Sequence, residues 1–260
     1  MLLSITNIAW AAENDVEMYT FLHDSGFSGL EIAPSRIFPD KPYEHITGIR
    51  RYADELRKKY GLLISSMQSI WYGRSESIFG SCDERNVLIE YTKKAVDFAA
   101  AAECKNIVFG CPINRNVPKS VMNSDEIALN FFARISEYAA KNGVVIALEP
   151  NPPIYGTNFI NTTEQAIGLY RNLNVAGFRI NIDVGTMIVN NESVSLVAEN
   201  LDTINHIHIS EPKLVPIERR NIHQEILSLP FDKYVSIEMG NCGDLKKVLQ
   251  TIEYIKCLVK

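Results

Sequence analysis

Residues 144–149 read VVIALE and are followed by the loop Pro150-Asn151-Pro152-Pro153. In an extended strand, alternate side chains face opposite sides, so Val145, Ala147 and Glu149 share one face. This face is small and apolar until its last position, which carries a carboxylate. Parallel sheets hold their functional groups at the carboxyl ends of the strands. The stretch therefore predicts a parallel strand with a functional carboxylate at its rim.

Three later runs repeat this arrangement, each about one strand–helix unit further along the chain. FRINID ends at Asp183, and YVSIE ends at Glu238. INHIHIS turns His206, His208 and Ser210 to one face. In each run, branched apolar residues face the other way, which is typical of barrel strands with helices packed outside and functional residues at the mouth.

Strand-like and helix-like segments alternate eight times along the 260 residues, with no low-complexity segment between them. Repeats of this spacing indicate a parallel sheet, and the length is close to the roughly 250 residues of an eightfold barrel. No GxGxxG or GxxxxGK[ST] motif supports a dinucleotide-binding or P-loop fold. We therefore predict an α/β fold, a (βα)8 TIM barrel, with residues 1–260 as a single domain. The predicted first strand covers 2–10, and the predicted helices cover 13–23, 44–59, 84–103, 124–142, 163–172, 192–200, 217–227 and 244–260.

The overall composition is that of a soluble globular protein, with 46% apolar and 22% charged residues. A net charge of −5 disfavours nucleic acid as the main partner, because duplex binding depends on Lys and Arg at phosphates. Five scattered cysteines without a CxxC pair predict reduced thiols and a cytoplasmic location. The opening MLLSITNIAWAA lacks the positive charges of a signal peptide, and no apolar run is long enough to span a membrane.

Glu149, Asp183, His208 and Glu238 occupy the predicted ends of strands five to eight, which a barrel brings around one half of its mouth. Three carboxylates this close would repel one another unless a cation lay among them. One imidazole and three carboxylates suit a divalent ion such as Mn, Mg, Co or Fe, whereas structural zinc usually has more sulfur or nitrogen ligands. The alternative is a polar layer inside the barrel whose members hydrogen-bond to each other.

The motifs GLEIAP, ALEPNPP, NIDVGT, HIHISEP and VSIEMG resemble those of the xylose isomerase-like TIM barrels, the sugar phosphate isomerase/epimerase-like superfamily. This superfamily includes ketose 3-epimerases, inosose dehydratases and endonuclease IV, and the resemblance spans nearly the whole chain. It implies that Glu149, Asp183, His208 and Glu238 bind one divalent metal ion. It also implies that Glu149 and Glu238 form the catalytic acid/base pair, on opposite sides of the reacting carbon.

The chain departs from this resemblance at the substrate-binding positions. The epimerases have a DxxH motif after strand six, and this chain has Thr186 in place of the histidine. Their arginine after strand seven falls near Leu214, and their second glutamate after strand five falls near Tyr155. Endonuclease IV uses many histidines, whereas this chain has five in all, and Gln68 and Gly110 end strands three and four. DNA repair is therefore not expected.

Several other side chains near strand ends are candidates for contacting a substrate. Trp71 would form an apolar wall or else pack in the core, and Arg115 would hold a phosphate or carboxylate unless it is an ordinary exposed arginine. Glu31 faces the barrel interior and would bind a hydroxyl or a neighbouring backbone, while His206 is expected to be a hydrogen-bonded core residue. The predicted substrate-binding residues are Gln68, Trp71, Arg115, Asn151, Glu211 and His223.

These observations predict a metal-dependent isomerase or epimerase of a sugar or sugar derivative. It would abstract a proton next to a carbonyl and pass through a metal-stabilised enediolate. The cofactor would be one divalent ion (Mn, Mg or Co, with Zn as a further candidate). A dehydratase of a keto-polyol, a non-catalytic sugar-binding barrel and a metal-dependent hydrolase stay open. The expected partner is a small sugar-like molecule, with neither nucleic acid nor membrane, and a homodimer is left open.

Overall fold

A computed structural model describes residues 1–259 and has eight parallel strands closed into a barrel. Each strand pairs with the next along the chain, and the last pairs with the first. The predicted (βα)8 barrel is therefore confirmed. The strands are β1 (Leu2–Thr6), β2 (Gly29–Ile32), β3 (Leu63–Met67), β4 (Asn106–Phe109), β5 (Val145–Leu148), β6 (Phe178–Asp183), β7 (Ile204–Ser210) and β8 (Tyr234–Glu238).

Helices follow the strands and form the outer layer of the barrel. Two of them begin at a capping box, one at Ser81 and one at Thr162. In a capping box, the side chain of the N-cap residue accepts a hydrogen bond from the backbone N–H of the third helical residue, whose side chain accepts one from the backbone N–H of the N-cap. The helices are α1 (Asp15–Asp24), α2 (Pro34–Ile37), α3 (Ile46–Tyr60), α4 (Cys82–Ala101), α5 (Ser124–Lys141), α6 (Thr163–Leu173), α7 (Val184–Asn190), α8 (Val194–Ala198), α9 (Asn221–Leu227) and α10 (Leu245–Leu258). No helix among residues 1–259 combines the length and apolarity that crossing a bilayer requires.

The apolar core lies between the barrel and its helices, while the barrel interior is polar. Outside the strands, buried rings of Phe109, Phe131 and Phe132 meet edge to face or at a tilt. Inside, short polar side chains bind each other across the barrel, such as Ser4 and Ser65, whose hydroxyl oxygens are 2.6 Å apart. The strands therefore turn their polar face inward, and this face leads up to the mouth.

Some predicted boundaries differ from the structure. The first strand ends at Thr6, because residues 7–9 turn into a short 3-10 helix. After β6, a helix that the sequence analysis missed begins at once at Val184, because Asp183 caps it. The last predicted helix extends to Lys260, which lies outside the described residues.

Candidate metal centre

Four side chains from the ends of neighbouring strands converge at the carboxyl-terminal mouth of the barrel. Glu149 follows β5, Asp183 and Glu238 end β6 and β8, and His208 lies on β7. One potential ligand atom from each residue lies within 4.8 Å of the others. The Nδ1 atom of His208 is 3.0 Å from Glu149 Oε1 and 3.1 Å from Glu238 Oε2. The structure thus brings together all four residues of the predicted metal set.

Strand register accounts for this convergence. In the ladder between β6 and β7, Asp183 lies beside His208. In the ladder between β7 and β8, Glu238 lies beside Ser210. Because Ser210 follows His208 by two residues, Glu238 lies one inward-facing position closer to the mouth than His208. Because parallel strands end at the same rim, their last side chains point into one space.

Glu149 is held in place by the side chains of two asparagines. Its Oε2 accepts a hydrogen bond of 2.9 Å from Asn151 Nδ2, and its Oε1 accepts one of 2.8 Å from Asn181 Nδ2. Burial acts to raise the pKa of Glu149, but the hydrogen bonds from His208 and Asn151 and the charge of Arg115 outweigh it and leave the pKa below its ordinary value. These contacts favour the ionised form of Glu149.

Asp183 is held from the start of α7. Its Oδ2 accepts hydrogen bonds of 2.8 Å from both the backbone N–H and the hydroxyl of Thr186. Its Oδ1 accepts a hydrogen bond from the hydroxyl of Ser210. Burial and the nearby charge of Glu149 raise the pKa of Asp183. Thr186, where the epimerase pattern has a histidine, is fully buried and supports a carboxylate instead of facing the cleft.

Glu238 is the least restrained member of the set. Among residues 1–259, the one polar group in contact with its carboxylate is His208 Nδ1. Burial raises the pKa of Glu238 to about 7, and the charges of Glu149 and Asp183 contribute to the rise. The surroundings of Glu238 therefore favour its protonated form.

His208 is buried between the carboxylates and the barrel interior. Its Nε2 atom lies 3.0 Å from Oε2 of Glu31, a fully buried residue of β2 whose role the sequence left open. Burial alone would lower the pKa of His208, but the charges of Glu238 and Glu31 raise it well above its ordinary value. Each ring nitrogen of His208 therefore faces carboxylate oxygen.

The donor set fits a divalent cation. It offers carboxylate oxygens and one imidazole nitrogen, which suit Mg, Mn, Co, Fe or Zn according to geometry. In the part of the chain that the structure describes, no Lys or Arg forms an ion pair with Glu149, Asp183 or Glu238. The nearest group that can carry a positive charge is the imidazole of His208, 3.0 Å from Glu149 and 3.1 Å from Glu238.

Glu149, Asp183 and Glu238 border a cleft of about 200 Å³, whereas His208 is not part of its lining. Two predicted substrate-binding residues, Gln68 and Asn151, line it. Four further lining residues were not predicted as substrate contacts, although Tyr155 and Leu214 occupy the positions of the epimerases' second glutamate and arginine. Three of these have backbone φ angles of 45° to 54°, which are strained for residues other than glycine and often occur at functional sites. The four are Ser69, Cys111, Tyr155 and Leu214.

The structure corrects the predicted substrate contacts of Trp71 and Arg115. Trp71 packs edge to face against Phe109, and its Nε1 donates to the hydroxyl of Thr92 on α4. Arg115 is fully buried and donates to backbone carbonyls, including that of Glu149 at 2.9 Å. Its guanidinium also donates to Asn151 Oδ1 at 2.6 Å. Both side chains therefore lie behind the wall of the cleft, where they support it.

Glu211 and His223 are also corrected, because neither lines the cleft. The buried carboxylate of Glu211 forms an ion pair of 2.7 Å with Arg220. His223 is fully buried, its Nδ1 lies 3.3 Å from the hydroxyl of Tyr254, and its Nε2 has no hydrogen-bond partner. Burial lowers the pKa of His223 to about 4. Arg220 lies 9 residues after Glu211, and Tyr254 lies 31 residues after His223, so neither contact follows from the periodicity of a strand or helix.

Comparison with known families agrees with this geometry. The profile of the xylose isomerase-like TIM barrel family matches residues 19–257. The chain belongs to this family. A comparison with curated proteins gave no match.

Solved structures with the same fold include two sugar epimerases and a zinc-binding protein. The apo form of 3-keto-D-glucoside 4-epimerase from E. coli is 18% identical, with a TM-score of 0.79 over 99% of both chains. D-psicose 3-epimerase with D-tagatose, from Clostridium cellulolyticum H10, is 14% identical, with a TM-score of 0.77 over 100% of this chain and 98% of that one. The IolI protein with a bound zinc atom is 15% identical, with a TM-score of 0.74 over 100% and 98%. At these identities, the likeness establishes the fold.

Proposed function

We propose that this protein is a metal-dependent isomerase or epimerase of a small sugar or sugar derivative. The observation that carries the proposal is the convergence of Glu149, Asp183, His208 and Glu238 within 4.8 Å at the mouth of a closed barrel. Structural neighbours with this fold act on sugars, including a 3-keto-D-glucoside and D-psicose. These neighbours support a reaction on a sugar, while the four side chains of this chain support proton transfer assisted by a metal ion.

The four residues would hold one divalent ion, with Mn, Mg or Co as the expected metals and Zn as an alternative that the IolI structure supports. When bound, the ion supplies a Lewis acid that stabilises negative charge on neighbouring substrate oxygens, as an enediolate requires. Glu149, Asp183 and His208 are each restrained by buried partners, so they would fix the position of the ion.

Glu149 and Glu238 would transfer the proton at the reacting carbon. Their environments separate the two groups, because the pKa of Glu149 lies below its ordinary value and that of Glu238 is raised to about 7. Paired carboxylates whose environments push their pKa values apart are suited to complementary acid and base roles. One would remove the proton next to the carbonyl, and the other would return a proton to the opposite face.

The lining of the cleft favours a small, uncharged substrate. Its volume of about 200 Å³ is below the 300–1,000 Å³ of typical ligand pockets. Neither Lys nor Arg lines it among the described residues, so a phosphate or carboxylate would meet three carboxylates without a cation of the protein. Tyr155 accepts a hydrogen bond from the backbone of Lys213 and keeps its own hydroxyl proton for a substrate oxygen. Gln68 Oε1 accepts a hydrogen bond of 3.3 Å from the hydroxyl of Ser69 and has a second lone pair for a substrate hydroxyl.

Solvent exchange at carbon tests the proposal. Incubation with Mn²⁺ in D2O and uncharged ketoses or keto-glycosides is expected to introduce deuterium next to the carbonyl, detected by NMR. Glu149→Gln and Glu238→Gln should abolish the exchange, whereas Glu137→Gln on the exposed face of α5 should not. Thermal stabilisation by sugars without exchange would instead indicate a binding protein. Loss of water from the substrate would indicate a dehydratase, and bond cleavage without exchange would indicate a hydrolase.

Three statements about the whole chain remain predictions. Residues 1–260 are expected to form a single domain, the protein is expected to be cytoplasmic, and a homodimer is the assembly to test. Light scattering coupled to gel filtration would measure the mass in solution against the 29.3 kDa of one chain.

A further inference from the structure

Glu31 is a buried carboxylate that lies beneath the candidate metal centre. It belongs to β2 and is 0% exposed. Its Oε2 lies 3.0 Å from His208 Nε2 and 3.1 Å from His206 Nε2. Its Oε1 accepts a hydrogen bond of 3.0 Å from Gln68 Nε2. Glu31 therefore connects one residue of the metal set with one residue of the cleft.

The two ring nitrogens of His208 have different surroundings. Nδ1 faces Glu149 and Glu238, where the metal ion would lie, and Nε2 faces Glu31. A nitrogen that binds a metal carries no proton, so the remaining proton of a neutral imidazole must be on the other nitrogen. An ionised carboxylate can only accept, so it selects the form of the ring that donates to it.

We infer that Glu31 is a positioning residue that keeps the proton of His208 on Nε2 and directs the Nδ1 lone pair to the metal ion. The inference rests on the proposed function, since it assigns Glu31 a part in the same site. A carboxylate that accepts the second N–H of a metal-binding histidine fixes its ring orientation and increases its basicity.

The surroundings of Glu31 keep it ionised. Burial alone would raise the pKa of Glu31, but the charge of His208 and the hydrogen bonds of His206 and His208 lower it below its ordinary value. In the described part of the chain, no Lys or Arg forms an ion pair with Glu31. Among its partners in that part of the chain, only the histidines can carry a positive charge. His206, which also lies 3.0 Å from Ser236 Oγ, holds the carboxylate from the deeper side.

A second metal ion among Glu31, His206 and His208 is the competing explanation, because one atom of each residue lies within 4.8 Å of the others. His208 Nε2 forms a hydrogen bond of 3.0 Å with Glu31 Oε2, and His206 Nε2 has a hydrogen-bond partner in Ser236 Oγ at 3.0 Å. Hydrogen bonds thus account for the group without an ion. The two explanations differ in the number of ions bound per chain.

Metal titration of Glu31→Gln tests the inference. Calorimetry with Mn²⁺ is expected to give one ion per wild-type chain and a dissociation constant about 10- to 100-fold higher in the variant. The matched control is Glu211→Gln, since Glu211 is equally buried near the mouth but pairs with Arg220 and does not contact the metal set. This control should keep the wild-type affinity. Glu31→Asp, which retains the charge, should recover part of the lost affinity even if the glutamine variant folds poorly.

A spectroscopic measurement separates positioning from a general structural effect. With Zn²⁺ bound and histidine labelled with ¹⁵N, wild-type His208 should show a protonated Nε2 and a metal-bound Nδ1. Equal Mn²⁺ affinity in wild type and Glu31→Gln, a proton on Nδ1 or two ions per chain would each overturn the inference and leave the proposed function standing. A wild-type protein that binds no divalent ion would instead contradict the proposed function.

Discussion

Arg115 illustrates what a single residue can and cannot reveal in a sequence. An arginine shortly after a strand of an expected barrel was a reasonable candidate for binding an anion, but its side chain is fully buried and its donors are used by the protein itself. Two of them bind the carbonyl oxygens of Gly110 and Phe159, each at 2.7 Å. The sequence shows the charge but not the loop that folds over it.

Arg115→Met is expected to destabilise the fold by about 3 kcal/mol or more, because it leaves several buried carbonyl oxygens without a donor. Urea denaturation should measure the loss, and Arg51→Met on the exposed face of α3 should cost less than about 0.5 kcal/mol. Unchanged stability together with weaker sugar binding would restore the original interpretation of Arg115 as a substrate contact.

His223 makes a second prediction at this scale, which concerns pH. The pKa of His223 is lowered to about 4 in the folded chain, while an unfolded histidine has a pKa of about 6.5. Between these values the unfolded state binds more protons, so stability rises with pH and is lost as pH falls from 6.5 towards 4. The contribution changes by at most about 1.4 kcal/mol per pH unit.

His223→Gln removes this titration. The difference in the free energy of unfolding between wild type and His223→Gln should therefore shrink as the pH is lowered through this window, when both are measured by urea denaturation in EDTA. A difference that is constant from pH 7 to pH 4 would show that His223 is not held neutral by its burial.

At the scale of elements, strands were predicted better than the segments between them. The period-two alternation in VVIALE and FRINID places Glu149 and Asp183 at strand ends, because this alternation does not depend on which helix packs outside the strand. The seven-residue helix α7 was missed, since it directly follows a strand and contains Gly185. An Asp three residues before Thr186 was the available signal, because a capping side chain accepts from the third helical N–H.

Thr186→Val tests the junction between β6 and α7. Valine has nearly the same shape but lacks the hydroxyl, so Asp183 would keep the backbone N–H and lose one of its two donors from this residue. We expect a loss of about 1–2 kcal/mol in stability and about tenfold weaker Mn²⁺ binding. Thr186→Ser keeps the hydroxyl and should bind Mn²⁺ like the wild type. Calorimetry and thermal unfolding measure both effects, and equal metal affinity for valine and threonine would refute the supporting role.

At the scale of the whole molecule, eight repeats of one unit were enough to predict the closed barrel and the side of the barrel on which four residues meet. The composition of the cleft wall was not predictable in the same way. Tyr155 and Leu214 come from loops after β5 and β7, and their approach to the centre depends on contacts such as the hydrogen bond from Lys213 N to the hydroxyl of Tyr155. Such contacts join segments that are far apart in the chain, so they produce no periodic pattern in the sequence.

The cluster of carboxylates should make the empty barrel less stable and the metal-loaded barrel more stable. The folded-state pKa of Glu238 is raised to about 7, above the ordinary value of 4.5. Its stabilising contribution is therefore lost as pH rises through this interval, and at pH 8 its buried charge opposes folding. Glu238→Gln removes that charge, so it should raise the melting temperature of the EDTA-treated protein at pH 8, by about 2–4 °C for each kcal/mol relieved.

Mn²⁺ should reverse this order. At a concentration one hundred times its dissociation constant, an ion that binds only the folded state adds about 2.7 kcal/mol to the stability of the wild type. Glu238→Gln lacks one of the four ligands and should gain much less. Calorimetric scans should thus give the variant a higher melting temperature than the wild type in EDTA and a lower one in Mn²⁺. If the variant melted below the wild type in EDTA as well, carboxylate repulsion would not be the strain that the metal ion relieves.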